Sequence, residues 1–238
     1  TTAVWSIFSV LRMEVTTARF KDPADVKLMA DATKLLQEYD KDWQEMVRIQ
    51  NEIEAAIAEM DKAAVVAVER VANLEEGQRQ KLQDDLAANL SNSAIRERTQ
   101  KFDDAGTMRA LLLNSRIQYR DFRRTEEDQY AEALNATIDQ LLEKCVSTRK
   151  LMKDAEDIKR VDDVSSAAKT YRDKFSDVVR LKDENVAAQQ NAQTVAVEIV
   201  KSFKHLLEGQ QAKAKDAETS AVTLAIIFMI VALAVGIA

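Results

Sequence analysis

Residues 153–238 open with the charged stretch KDAEDIKRVDDVSSAAKTYRDKF (153–175) and close with the apolar stretch TSAVTLAIIFMIVALAVGIA (219–238), with no proline between them. As a helix with a rise of about 1.5 Å per residue, the closing stretch is about as long as a bilayer's hydrocarbon layer is thick. We interpret it as a C-terminal transmembrane helix, and a buried core helix is the alternative. The charged residues before it predict one long helix that runs into this span.

The composition of the whole chain predicts an all-α protein. Its 238 residues include one proline, four glycines and 31% charged residues, which suits long helices and leaves too few chain breakers for a sheet protein. Acidic and basic residues are interspersed, so no nucleic-acid partner is expected. With one cysteine (Cys145) and one histidine (His205), the sequence contains no recognisable metal cluster or catalytic triad. We therefore expect no metal, no cofactor and no enzymatic activity.

An internal repeat is the strongest pattern in the sequence. Shifting the chain by 132 residues aligns 21–84 with 153–216 without a gap, and 20 of the 64 positions are identical. The most specific matches pair Asp25 with Asp157, Tyr39 with Tyr171, Arg48 with Arg180, and Glu76-Gly77-Gln78 with Glu208-Gly209-Gln210. The chain therefore contains a duplicated helical unit.

Capping residues and chain breakers divide the sequence into five predicted helices. Apolar residues three and four apart predict an amphipathic helix over 1–20. Asp22-Pro23 predicts the start of a second helix, which runs for about 65 residues at the helical period until the Asn/Ser cluster at 89–93. The remaining helices are expected over about 94–124, over about 126–152 behind a Thr125/Asp128 capping box, and from Asp154 onward.

These helix lengths predict the architecture. Two short helices joined by tight turns can cover one half of the long pair, which gives a distal four-helix bundle over 55–187. The inner parts of the long helices, 1–54 and 188–218, then form a membrane-proximal module that needs one more helix. We expect two stacked four-helix modules on shared long helices, followed by the span at 219–238. We also expect the chain to be a piece of a longer protein, with a further helix and span before Thr1.

This arrangement resembles the helical bimodular sensor domain of bacterial methyl-accepting chemotaxis proteins, and the segment NSRIQYRDF (114–122) is similar to the end of the first helix in such bundles. The resemblance implies a receptor for chemotaxis in the inner membrane, with the helical domain in the periplasm or extracellular space. It implies a small organic acid as ligand and a homodimer. It also implies signal transduction through the last helix to a cytoplasmic signalling region and kinase complex beyond Ala238.

Arginine and tyrosine residues at one level of the distal bundle predict an anion site. Three arginines of the third helix fall at i, i+4 and i+7 on the flank beside Tyr119. Counting residues from the distal end places further arginine and tyrosine residues near the same level, and arginine offers a planar fork of donors to a carboxylate. The predicted ligand-binding residues are Arg116, Tyr119, Arg120, Arg123, Tyr130, Tyr171 and Arg180.

Other interpretations of these residues stay open. The arginines could form surface ion pairs with Glu126, Glu127 and Asp128. By the repeat, Tyr39 and Arg48 mark a second possible ligand site. Taken singly, the four aromatic residues of the repeat are expected to be core residues without a binding role: Tyr39, Trp43, Tyr171 and Phe175.

Two other functions also stay open. A sensor histidine kinase could carry the same input domain, and only the sequence after Ala238 would distinguish it. A tail-anchored helical structural or interaction protein should show sustained heptads up to the membrane. Residues 191–220 contain only a partial apolar seam, and that function leaves the duplication unexplained.

Overall fold

The structure, a computed structural model, describes residues 21–214, and helix accounts for 94% of them. Four helices follow one another in that range: α1 (Pro23–Ala87), α2 (Asn92–Thr125), α3 (Asp128–Leu151) and α4 (Ala155–Ala214). No strand occurs among the described residues, so the all-α prediction is confirmed.

Two predicted helices lie outside the described residues: the N-terminal helix over 1–20 and the transmembrane helix over 219–238. Between residues 21 and 214, none of the four helices combines the length and the apolar composition that crossing a membrane requires.

Aspartate side chains cap the two long helices, as predicted. Asp22 Oδ1 accepts a hydrogen bond from the Ala24 N–H at 2.8 Å. Asp154 Oδ1 accepts from the Glu156 N–H at 2.8 Å and from the Asp157 N–H at 3.3 Å. These bonds satisfy amides that have no partner inside the first turn of a helix. The predicted long second helix is confirmed, since α1 runs for 65 residues.

The turn between α2 and α3 corrects one prediction. Glu126 has a left-handed backbone (φ 57°), and its N–H donates to the Phe122 carbonyl at 2.7 Å. This conformation ends α2 at Thr125, whose hydroxyl donates to the Asp121 carbonyl at 3.0 Å. The predicted Thr125/Asp128 capping box is therefore wrong, and α3 begins at Asp128 without a side-chain cap.

The chain divides into two compact units. Unit 1 comprises Thr1–Gln50 and Asp183–Ala238, and unit 2 comprises Asn51–Lys182. Unit 2 contains α2, α3 and the adjoining parts of α1 and α4. Its core is apolar and includes side chains that are completely buried: Met60, Leu74, Met108, Leu134, Ile138, Leu141 and Phe175. Full burial of one such side chain contributes about 1.5–3 kcal/mol.

A buried carboxylate ties α2 to α3 inside unit 2. Asp104 is 3% exposed and accepts hydrogen bonds from Gln100 at 2.8 Å, Thr148 at 3.1 Å and Lys144 at 3.2 Å. A buried carboxylate is stable only when it is paired and hydrogen-bonded, and Asp104 meets both conditions.

The described core of unit 1 is smaller and is formed by α1 and α4. Met29, Ala32 and Leu36 pack against apolar residues of α4 that include the partial seam noted in the sequence: Val195, Ile199, Phe203 and Leu206.

One pair of aromatic residues related by the repeat differs in burial between the two units. Phe175 in unit 2 is completely buried, whereas its counterpart Trp43 in unit 1 is 39% exposed. The expectation of a core position is therefore confirmed for Phe175 and wrong for Trp43. In unit 2 the Phe175 ring is covered by Tyr119 and Phe122 of α2. The described part of unit 1 contains no counterpart of α2.

Candidate ligand-binding site

An aromatic cluster joins α2 to α4 in unit 2. The Tyr119 ring meets the Phe175 ring edge-on, with centroids 6.2 Å apart, and the Phe122 ring meets Phe175 in the same manner at 5.2 Å. Such edge-to-face pairs add about 0.5–1.5 kcal/mol beyond their buried area. Tyr171 precedes Phe175 by one helical turn on the same face of α4 and is 3% exposed. The cluster therefore fixes two tyrosine rings inside the bundle.

The hydroxyl groups of these two tyrosines have no hydrogen-bond partner. The Oη atoms of Tyr119 and Tyr171 are both buried, and no group in the described range donates to them or accepts from them. Burying an unbonded hydroxyl costs about 1–3 kcal/mol. Both hydroxyls are therefore available to donate to a bound ligand.

Charged side chains from two helices act on the tyrosine hydroxyls. Burial raises the pKa of both tyrosines. The Arg116 guanidinium opposes the rise in the pKa of Tyr171, and the Arg123 guanidinium opposes it for Tyr119. The carboxylate of Asp61, on α1, adds to the rise in both pKa values. The pKa values of the two tyrosines thus respond to charged groups on both α1 and α2.

The three predicted site arginines of α2 fall into two groups. Arg116 and Arg123 are exposed, and no carboxylate within residues 21–214 forms an ion pair with either. Arg120 is 75% exposed and pairs with Asp121 at 3.5 Å. Glu126, one of the carboxylates expected to pair with the arginines, instead bonds to Lys182. Of the three, Arg116 and Arg123 are therefore the ones that a ligand carboxylate can approach without displacing a partner.

Two other predicted residues of unit 2 lie apart from the tyrosine hydroxyls. Tyr130 packs against the apolar core near the start of α3. The Arg180 side chain is 56% exposed and lies 3.6 Å from Asp177. Because nine residues separate Arg180 from Tyr171, an α-helix directs the two side chains to opposite faces.

The same spacing separates the two residues of the second predicted site. Tyr39 packs against the core of unit 1, and Arg48 pairs with Glu45 at 2.5 Å on the surface. The structure thus brings together Arg116, Tyr119, Arg123 and Tyr171. It does not group Arg120, Tyr130, Arg180, Tyr39 or Arg48 with them.

Three polar residues near this level were not among the predicted ones. Asp61 has no distinctive sequence signal, because it is one of many charged residues along a long helix. Gln118 on α2 and Asn135 on α3 each have a buried side-chain oxygen with no hydrogen-bond partner in the described part of the chain. A sequence signal existed for Asn135, since it interrupts an apolar stripe that contains Leu134 and Ile138.

Neither an open groove along α3 nor any metal-binding cluster of the described residues includes the tyrosine hydroxyls. An open groove of about 570 Å³ runs along α3, and none of the predicted site residues lines it; its lining residues are Asp139, Leu142, Glu143, Val146, Ser147 and Lys150. Within residues 21–214, no group of His, Cys, Asp and Glu side chains is arranged to hold a metal ion.

Comparison with known families gives one match. The family model described as the helical bimodular sensor domain matches residues 11–221, which include all four described helices and every predicted site residue. No curated protein matches the chain. Domains of this family are helical sensor domains typical of chemoreceptors. Because the match covers most of its length, the chain belongs to the helical bimodular sensor domain family.

Proposed function

We propose that the chain is the extracytoplasmic sensor region of a bacterial chemoreceptor and that unit 2 binds a small carboxylate. One observation carries the ligand part of this proposal. Tyr119 and Tyr171 hold buried hydroxyls without partners, beside two arginines that have no ion-pair partner in the described chain.

The chemistry of these groups suits a carboxylate. Each tyrosine hydroxyl donates a hydrogen bond to a carboxylate oxygen, and bonds to a charged acceptor contribute about 1.5–3 kcal/mol. The guanidinium groups of Arg116 and Arg123 balance the negative charge of the bound acid. Binding thereby removes the unfavourable energy of two buried, unbonded hydroxyls.

The proposed signalling route is α4, because this helix connects the candidate site to the predicted span. Tyr171 belongs to this helix, which continues without interruption to Ala214, shortly before the predicted span at 219–238. A ligand shifts the packing of a bundle only by binding one arrangement more tightly than another. In the proposed receptor, the acid favours one position of α4, and the span transmits a small displacement to a cytoplasmic signalling region and its kinase complex.

The remaining parts of the proposal follow the family. The receptor is a homodimer in the inner membrane, with the helical domain in the periplasm or extracellular space. We propose that it contains two four-helix modules, 1–54 with 188–218 and 55–187. The family is typical of chemoreceptors, which favours this output over that of a histidine kinase.

Titration calorimetry on the full chain tests the ligand. Acetate, propionate, succinate and citrate serve as probes, and we expect saturable heat with at least one of them. Arg116→Ala and Tyr171→Phe should abolish that heat. Arg120→Ala is the matched control, because Arg120 lies on the same helix, is largely exposed and already has Asp121 as a partner. Absence of heat from the folded chain with all four acids, or equal loss in the Arg120 variant, contradicts the proposal.

The second predicted site is tested in the same titrations. If Tyr39 and Arg48 bind an acid, a second saturable event should survive Tyr171→Phe and disappear in Arg48→Ala. A single event that Tyr171→Phe removes completely argues against a site in unit 1.

A further inference from the structure

Each unit contains a polar cluster that ties one long helix to the other. In unit 2, Asp157 is 2% exposed and accepts hydrogen bonds from Gln78 at 2.7 Å and from Lys81 at 2.7 Å. Lys81 also lies 3.7 Å from Asp154, the capping residue of α4. We call Gln78, Lys81, Asp154 and Asp157 the unit 2 clamp.

The 132-residue repeat places the same four residue types in unit 1. Asp25 is 4% exposed and accepts from Gln210 at 2.6 Å and from Lys213 at 2.8 Å. Lys213 also donates to Asp22, the capping residue of α1, at 2.6 Å. These residues, Asp22, Asp25, Gln210 and Lys213, form the unit 1 clamp. It ties the last described turn of α4 to the first turn of α1.

Among the described residues, arginine side chains contact the unit 2 clamp but not the unit 1 clamp. Arg98 donates to the Gln78 side-chain carbonyl at 3.1 Å and pairs with Asp85 at 2.9 Å. Arg160 lies 3.5 Å from Asp157 Oδ1. The repeat replaces Arg160 by Leu28 and Asp85 by Ala217, so the unit 1 clamp lacks these two charged groups.

Loss of the lysine therefore leaves the buried aspartate with different partners in the two clamps. Without Lys81, the buried carboxylate of Asp157 keeps Gln78 and the nearby Arg160 guanidinium. Without Lys213, the only remaining side-chain donor to Asp25 among the described residues is Gln210. A buried charge that loses its cationic partner is strongly destabilising. Since the Lys213 side chain is 46% exposed, solvent reduces this loss of stability. The unit 1 clamp can therefore open at a modest cost in free energy.

We propose that the unit 1 clamp is a releasable latch that holds the end of α4 against the start of α1, whereas the unit 2 clamp is a permanent tie. The latch lies on α4 six residues before the predicted span begins at Thr219. Movement of α4 toward the membrane requires the contacts of Lys213 and Gln210 with α1 to break. This regulatory meaning rests on the proposed sensor function, whereas the difference between the two clamps does not.

Hydrogen exchange of the full chain, followed by mass spectrometry, tests the latch. In Lys213→Met, we expect the amides of residues 206–214 to exchange about tenfold faster, which is the change expected for losing about 1.4 kcal/mol of local stability. In the twin variant Lys81→Met, exchange at residues 74–82 should rise less than threefold. Lys213→Arg should restore protection, because it restores the cation.

Each outcome has a defined meaning. If amide exchange accelerates equally in the two methionine variants, the proposed difference between latch and tie is wrong. It is also wrong if exchange at 206–214 does not accelerate in Lys213→Met. Failure of Lys213→Arg to restore protection also overturns it, because loss of helix packing would then explain the opening.

A further arm adds acetate, propionate, succinate or citrate, whichever produces saturable heat in calorimetry. A bound acid that leaves exchange at 206–214 unchanged in the unmodified chain rejects the regulatory role of the latch and leaves the binding proposal intact. If no acid binds, the proposed function fails, and the comparison of the two methionine variants still decides whether the clamps differ.

Discussion

Replacing Tyr171 with phenylalanine removes one oxygen atom, and we expect the ligand-free chain to become more stable. The Tyr171 side chain is 3% exposed, and its hydroxyl has no partner in the described structure. A buried, unbonded hydroxyl costs about 1–3 kcal/mol. We expect a gain at the lower end of this range, about 1 kcal/mol. For a chain of this size, that gain raises Tm by about 2–4 °C.

Urea unfolding followed by circular dichroism measures this change. Tyr39→Phe is the matched control, because Tyr39 is the repeat counterpart, is only partly buried, and should change the free energy of unfolding by less than about 0.5 kcal/mol. If Tyr171→Phe lowers the stability by as much as the gain expected here, the hydroxyl has a partner in the folded chain, and the reasoning is refuted. The same variant should lose carboxylate binding, so stability and function should change in opposite directions.

Three further predictions concern other described residues. Burial raises the pKa of the Cys145 thiol to about 12, so Ellman's reagent near neutral pH should label the chain only after unfolding in urea. Two lysines lower the pKa of Glu97 from 4.5 to about 2; its stabilising effect is therefore present above pH 4.5 and lost as the pH falls toward 2, and Glu97→Gln should weaken the acid dependence of the unfolding midpoint. Gly209→Ala should stabilise the chain by up to about 1 kcal/mol, measured by urea unfolding, because a helical glycine is unfavourable. Gly77→Ala should gain less, since its Cβ would lie 2.8 Å from Arg160 Nη1 and must displace that side chain.

The sequence predicts the helices well because their signals are local. Aspartate caps at Asp22 and Asp154, and apolar residues at the helical period, need only neighbouring residues to act. The Thr125/Asp128 prediction failed because a left-handed residue at Glu126 moves the helix end, and nothing in the local sequence requires that conformation. The core prediction for Trp43, which is 39% exposed, failed because burial depends on what packs over a side chain rather than on the residue itself.

The candidate site is harder to predict because it depends on contacts between helices. Counting residues along the helices places Arg116, Tyr119 and Tyr171 near one level of the bundle, since the rise per residue is constant. It cannot state which way a side chain points, so Arg180 on the other face of α4 was included as well. The two clamps were visible in the repeat as shared aspartate and glutamine positions, yet their contacts became evident only in three dimensions.

The central claim is that the two tyrosine hydroxyls receive a carboxylate. A crystal structure of the chain with the acid that gives the strongest calorimetric signal tests it most directly. We expect a carboxylate oxygen within about 2.5–3.0 Å of the Oη atoms of Tyr119 and Tyr171, with Arg116 or Arg123 turned toward it. An acid bound elsewhere, for example in the groove along α3, with both hydroxyls still unpartnered, would contradict the account.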